Sequence, residues 1–212
     1  MKKLFIILLL YVGSVTVTFG QTISDVFMSV PENIFYGLDV AQKELLLSES
    51  KDTSAIVVRD NNLYEEIRRL DFSENFISLK TSKVGTTQIK LLPLINDSKV
   101  ICVVRTVCQN ICDSEIRFYT TKWALIDNAQ LFSKPTLNSF LKEGVDRNSE
   151  DFKNLSTVLD IFPLKYTLIP NEDALIVEYD IKEYLAKKDN EQLLQYLDDT
   201  PKKMLWNKTS FK

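Results

Sequence analysis

The chain has 212 residues, a formal charge of −3 and no histidine. Without imidazole there is no Ser-His-Asp or Cys-His nucleophile, no His-ligated zinc, no facial-triad iron and no neutral-pH histidine switch, so acid–base work falls to carboxylates, lysine or tyrosine. The mildly acidic balance lacks a basic stripe and argues against nucleic acid, and the five glycines are too scattered to cradle a phosphate.

The N-terminus carries Lys2 and Lys3, an apolar run from Leu4 to Val12, and Thr18-Phe19-Gly20 with small residues at the two positions a signal peptidase reads. This pattern predicts a signal peptide over 1–20, with cleavage before Gln21. The run is shorter than the ~20 residues that cross a bilayer. No later stretch is long and apolar enough to span one, so the mature chain is expected to have no transmembrane segment. Losing two lysines and no acid takes the formal charge from −3 to −5. The expected product is exported, either periplasmic or secreted, as a single α+β domain over 21–212, with 133–212 as a candidate smaller subdomain packed against the rest.

Residues 21–50 read as helical, with Ile34, Leu38, Ala41 and Leu45 following the helical period. Ile56 to Arg59 reads as a short strand or linker. Asn62 to Leu70 reads as another short helix, with Leu63, Ile67 and Leu70 on one face. From about 75 to 126 the period becomes two. Four strands with polar turns predict an antiparallel meander whose inward face carries Ile77, Leu79, Ile89, Leu91, Cys102, Val104, Ile116 and Phe118, with Gln88 and Lys90 pointing the other way. The dense run KVICVVRTV is expected to be central. Beyond it, Ser149 to Phe162 predicts a helix with a Phe152, Leu155, Leu159, Phe162 stripe, ended by Pro163. A second hairpin is expected at about 164–180. A final helix through Leu193, Leu194 and Leu197 is expected, with Asp189 and Gln192 as its capping box.

The stretch CQNIC places Cys108 and Cys112 in the connection between two strands. A thioredoxin-type pair wants C-x-x-C at a helix start, and a zinc clip wants four ligands where the chain offers three cysteines. The simplest reading is a disulfide across a tight turn, with free thiols and a redox or metal role as alternatives. Cys102 reads as a small buried hydrophobe. The carboxylate clusters are Glu65-Glu66, Asp113 with Glu115, Glu150-Asp151, Glu172-Asp173 and Asp198-Asp199. Each has a structural reading as a solvated face, a helix start or a turn. A glycosidase-like pair would need two of them facing across a cleft. Tyr119, Trp123, Tyr166, Tyr179 and Trp206 are candidate aromatic platforms, with Tyr119 and Trp123 the candidate binding surface. Core packing is the simpler role. Asn96, Asn154 and Asn207 stand in N-x-S/T sequons.

The opening TISDVFMSVPENIF, the central QIKLLPL, VICVVRTVC and CDSEIRFYTTKW, and the late LKYTLIPNEDALIVEYD resemble a family of uncharacterised exported proteins from Bacteroidales, domain of unknown function 3256. The resemblance spans nearly all of the mature chain and implies an envelope location. It implies no activity, cofactor or catalytic residue. The residues favour a non-enzymatic envelope module that binds a protein or glycan through a sheet face or the CQNIC end. Behind that stand a carboxylate-type hydrolase of envelope glycans or peptides and a thiol-dependent factor. No catalytic residue, cofactor or metal is expected.

Overall fold

Two tight turns organise the central sheet. At the first, Ser82 Oγ accepts from the Gly85 N–H (2.8 Å), and a side chain at Gly85 would begin 2.8 Å from that same oxygen. At the second, Asp97 takes a left-handed φ of 60° while Asn96 Oδ1 accepts from Ser98 Oγ (2.7 Å). Short turns of this kind keep successive strands adjacent and antiparallel.

The computed structural model describes residues 21–48, 57–59, 66–157, 161–181, 184, 185 and 187–212. The expected signal peptide lies outside them, as do residues 62–65 and Leu159. The helices are α1 (Ile23–Met28), α2 (Val40–Leu47), α3 (Glu150–Ser156) and α4 (Lys187–Tyr196). The large sheet is antiparallel and seven-stranded in sequence order: β1 (Val57–Arg59), β2 (Glu66–Ser73), β3 (Phe76–Lys80), β4 (Gly85–Pro93), β5 (Lys99–Cys108), β6 (Cys112–Thr120) and β7 (Leu125–Ile126). A second, three-stranded sheet has the order β10-β9-β8, from β8 (Leu164–Leu168), β9 (Ala174–Tyr179) and β10 (Lys202–Leu205).

The α+β class and the 164–180 hairpin appear as expected, but the four-stranded meander is a correction. It extends to seven strands, because β1 and β2 add to one edge and β7 to the other. Residues 66–70, expected in a helix, belong to β2. There Ile67 and Arg69 alternate inward, and a bulge between Arg69 and Asp71 leaves Leu70 44% exposed. The inward position after Ile67 is an arginine and the next apolar residue, Leu70, faces outward, so Ile67 and Leu70 fall at helical spacing although the alternation is intact. The N-terminal segment likewise forms two short helices rather than one, each closed by a capping box, Thr22 with Asp25 and Asp39 with Gln42. α4 starts at Lys187, so Asp189 lies in its first turn and not at the cap.

The proposed inward face is also corrected. Ile77, Leu79, Ile89 and Leu91 pack with Ile101, Val103 and Tyr119 beneath α1 and α2. Cys102, Val104, Ile116 and Phe118 occupy the opposite face, against Leu164, Tyr166, Leu168, Trp206 and Phe211. The register explains the split, since Ile89 pairs with Val103 while Lys90 pairs with Cys102. Both faces are therefore covered, and β5 lies between two cores.

Polar side chains of the large sheet hold the small one. Lys90, only 2% exposed, donates to the carbonyls of Ile169 (2.8 Å) and Pro170 (2.9 Å), and its Nζ stands 3.7 Å from Asp173 Oδ1. Along the edge of β8, Leu164 N–H donates to Asp113 Oδ1 (3.1 Å), Tyr166 N–H to Ser114 Oγ (2.9 Å) and Leu168 N–H to Gln88 Oε1 (2.9 Å). An edge strand whose N–H groups are taken up this way offers little to a foreign strand. On the other face the buried Arg69 donates to the carbonyls of Leu46 (2.9 Å) and Ser48 at the end of α2, where the helix dipole favours a cation.

Lys90→Met keeps the apolar stem and removes the donors, leaving two backbone carbonyls without this partner. We expect a loss of about 2–4 kcal/mol in urea unfolding, against about 0.5 kcal/mol or less for the exposed Glu115→Ala. Equal small losses would show that the Ile169–Pro170 segment does not depend on Lys90.

Candidate functional site

The CQNIC turn is the best-braced projection of the large sheet. Cys108 and Cys112 are direct cross-strand partners on β5 and β6, and their sulfurs lie at bonding distance, 2.02 Å, with Cα atoms 4.0 Å apart. Between them Gln109 N–H donates to Ile111 O (3.1 Å). Cys108 N–H donates to Val84 O (2.8 Å), which ties the tip to the neighbouring β3–β4 turn. Cys112 N–H donates to Asp180 Oδ2 (2.6 Å), just past the end of β9. The tip is thus held by a disulfide, a neighbouring turn and a carboxylate of the small sheet.

Beside this turn lies a cleft of about 310 Å³ lined by Gln109, Asn110, Ile111 and Tyr184. Gln109 and Asn110 are exposed, and Tyr184 is 47% exposed. Among the described residues of the lining, two carboxamides, each both donor and acceptor, stand beside an aromatic ring and an isoleucine. Such a set suits a neutral, hydroxyl-rich or amide-rich ligand better than a charged one. The sequence pointed to this turn through its cysteines. Tyr184 and Asp180 carried no local signal, because only the return of the chain after β9 brings them here.

A second cleft, of about 340 Å³, opens over Lys90 and is lined by Ser73, Glu74, Asn75, Pro170, Asn171, Glu172 and Asp173. Burial lowers the Lys90 pKa, opposed by Asp173, but its nitrogen is engaged by two carbonyls. Glu172 is ion-paired to Lys203 at 2.7 Å. In the other carboxylate clusters several members are engaged by neighbours. Asp113 accepts from Leu164, Glu115 pairs with Arg117 at 2.6 Å, Glu150 sits in the first turn of α3 near Lys153, and Asp198 pairs with Lys202. Hydrogen bonds from Lys202 and Thr200 hold the Asp198 carboxyl well below the usual range. Glu65 lies outside the described residues. Among the described residues no group of three or more His, Cys, Asp or Glu side chains is placed to hold a metal ion.

Tyr119 and Trp123 do not form an exposed aromatic platform. Tyr119 is 6% exposed and packs on Trp123 at 5.5 Å, while the Trp123 indole N–H donates to Val26 O (3.1 Å), joining the sheet to α1. Trp123 accepts a left-handed φ of 63° in this turn. Tyr166 and Trp206 are buried in the core of the small sheet, where Trp206 stacks on Phe118 and its indole N–H donates to Pro93 O (2.7 Å). Cys102 is fully buried, and burial pushes its thiol far above the normal range, so it is no thiolate at neutral pH.

The family described as "Protein of unknown function (DUF3256)" matches residues 15–211. The chain belongs to this family. Its fold is similar to a solved domain of an uncharacterized protein from Porphyromonas gingivalis W83, with a TM-score of 0.78 and 24% identity over 90% of this chain and 96% of that one. At that identity the likeness speaks for the fold alone. A search of curated proteins found no match. The DUF3256 chain has, among its described residues, no helix long and apolar enough to cross a membrane.

Two outcomes follow from this geometry. Replacing both Cys108 and Cys112 by serine releases only a five-residue loop, so urea unfolding should show a loss of at most about 2 kcal/mol with the fold retained. Unfolding on mild reduction would contradict the bracing by Asp180 and Val84. Burial also raises the Tyr166 phenol and lifts Tyr179 to about 12. The unfolded chain ionises these rings near ~10, so above that pH the native state binds more protons and stability falls as pH rises. Tyr166→Phe and Tyr179→Phe should flatten this alkaline slope, read from denaturation midpoints at stepped pH.

Proposed function

We propose that this DUF3256 protein is a non-enzymatic recognition module of the bacterial cell envelope that engages its ligand at the disulfide-braced tip. The observation that carries the reading is the cleft formed by Gln109, Asn110, Ile111 and Tyr184 on a turn fixed from three sides. A preorganised surface loses little freedom on binding. The carboxamides and the aromatic ring among the described lining residues favour an envelope glycan, with a protein partner as the other occupant of the tip. Export is part of the proposal. It is supported by the basic and apolar N-terminal pattern and by a disulfide suited to an oxidising compartment.

The second reading is a carboxylate hydrolase at the Lys90 cleft, favoured by the gathering of Glu74, Glu172 and Asp173 there. It ranks lower because the Glu172 and Asp173 carboxylates both face lysine ammonium groups, and Lys90 is committed to backbone carbonyls.

Purified protein tested against immobilised envelope polysaccharide fractions separates the readings. The expected result is retention without release of product. The Gln109→Ala/Asn110→Ala double variant should weaken it about tenfold or more, and Glu172→Gln should leave it unchanged. Product release that depends on Glu172 or Asp173 would establish the hydrolase instead. Retention indifferent to the double variant would remove the tip as the site. Capture of one envelope protein by in-cell crosslinking at position 110, with no glycan retained, would transfer the tip to a protein partner.

A further inference from the structure

We propose that the glycan held at the tip is acidic, and that its carboxylates lie on Arg68 and Lys80, on the part of the large sheet beside that tip. This rests on the tip reading above and names the class of ligand held there.

The register sets one row of residues across the sheet. Val57, Arg68, Lys80, Thr86, Thr106 and Ser114 are successive cross-strand partners from β1 to β6. Direct partners point to the same face, and this face carries the small sheet, since Ser114 Oγ accepts from Tyr166 N–H on β8. β8 packs chiefly against β6, β5 and β4. β2 and β3 lie past that cover, and there Arg68 is exposed and Lys80 partly so.

Two cations in direct register are a poor choice for the sheet itself. Antiparallel partners stand about 4.5–5.5 Å apart at Cα, and like charges facing each other there weaken the pairing. Other strand cations of this sheet end on the protein. Arg69, Lys90, Lys99, Arg105 and Arg117 each reach a carbonyl, an amide or a carboxylate. Arg68 and Lys80 have no hydrogen bond or ion pair among the described residues, and Glu66, two positions before Arg68 on the same face, forms none with them. A guanidinium offers a carboxylate two parallel N–H donors, and the ammonium beside it adds a second charge one strand away. Thr86 supplies a hydroxyl as the next group in the row.

The row is continuous with the tip. The β3–β4 turn follows Lys80, carries the exposed Lys83, and at Val84 O accepts from Cys108 N–H (2.8 Å). Strands are spaced about 4.8 Å apart, so the path from β5 out to β3 and β2 covers roughly 10–15 Å. That reach suits a chain of sugars. Its neutral part meets the carboxamides and Tyr184, and its carboxylates lie farther along on the two cations.

The test uses the purified full chain on immobilised envelope polysaccharide fractions. Each fraction is used untreated, after carbodiimide–borohydride reduction of its carboxylates to alcohols, and after removal of phosphate with hydrofluoric acid. Retention should fall about tenfold on carboxyl reduction and about tenfold in Arg68→Gln/Lys80→Gln. It should also fall with added salt, which screens exposed charges, and stay unchanged on dephosphorylation. Lys122→Gln/Lys134→Gln, which loses the same charge at exposed sites outside the row, should bind as the wild type does. Lys80→Glu separates binding from folding, because it sets a carboxylate opposite Arg68. Its urea midpoint should match or exceed that of the wild type while retention is lost. Wild-type retention by Lys80→Glu, or retention indifferent to carboxyl reduction, overturns the acidic ligand and leaves the tip standing. Loss of retention on dephosphorylation instead overturns the carboxylate assignment. If Gln109→Ala/Asn110→Ala binds as the wild type does while Arg68→Gln/Lys80→Gln does not, the tip reading falls, and with it the shared ligand.

Discussion

The small sheet depends on a cation placed where none would be expected. Lys90 sits on a central strand of a sheet covered on both faces, and its ammonium ends among backbone carbonyls at the turn between β8 and β9. Burying an ammonium costs several kcal/mol unless donors and charge are matched, which makes the position of that turn non-negotiable. The same device recurs elsewhere. Arg69 holds the end of α2, Arg105 donates to Ile34 O, Lys43 to Val30 O (3.0 Å) and Lys142 to Leu194 O (2.7 Å). A fold with long irregular connections has many carbonyls to satisfy, and long cationic side chains reach them.

This device also explains what could be read in advance. The strands from Phe76 to Thr120 were legible because their turns are short and their alternation is regular, and so was the 164–180 hairpin. Their relative register was not, because Gln88 and Lys90 look like solvent-facing residues and in fact face the second core. Arg69 hid β2 in the same way, since a buried guanidinium reads as an exposed position and breaks the apolar alternation. At the site, the cysteine spacing exposed the turn. The groups that complete it, Asp180 and Tyr184, lie some seventy residues on and could be joined to it only by the tertiary fold.

The aromatic residues divide by the same logic. Tyr119, Trp123 and Trp206 looked available for recognition because aromatic rings serve both purposes. Here the indole N–H groups of both tryptophans are used to pin neighbouring chain to the large sheet, at Val26 O and Pro93 O. Tyr184, between β9 and α4, is a ring that lines a cleft and keeps nearly half its surface in solvent. Binding surfaces set on irregular segments over a rigid sheet are a common arrangement, because the sheet supplies position and the loop supplies chemistry.

The capping of β8 has a consequence for sequence change. Asp113, Ser114, Gln88 and Lys90 all hydrogen-bond to the main chain of residues 164–170. The interface is therefore lopsided in its informational demand. Four side chains on the large sheet must keep their identity, while the strand they grip need only keep its backbone path and its apolar inner positions. Variation in such a protein can accumulate on the gripped strand at little cost, and a single replacement on the gripping side is felt along the whole seam.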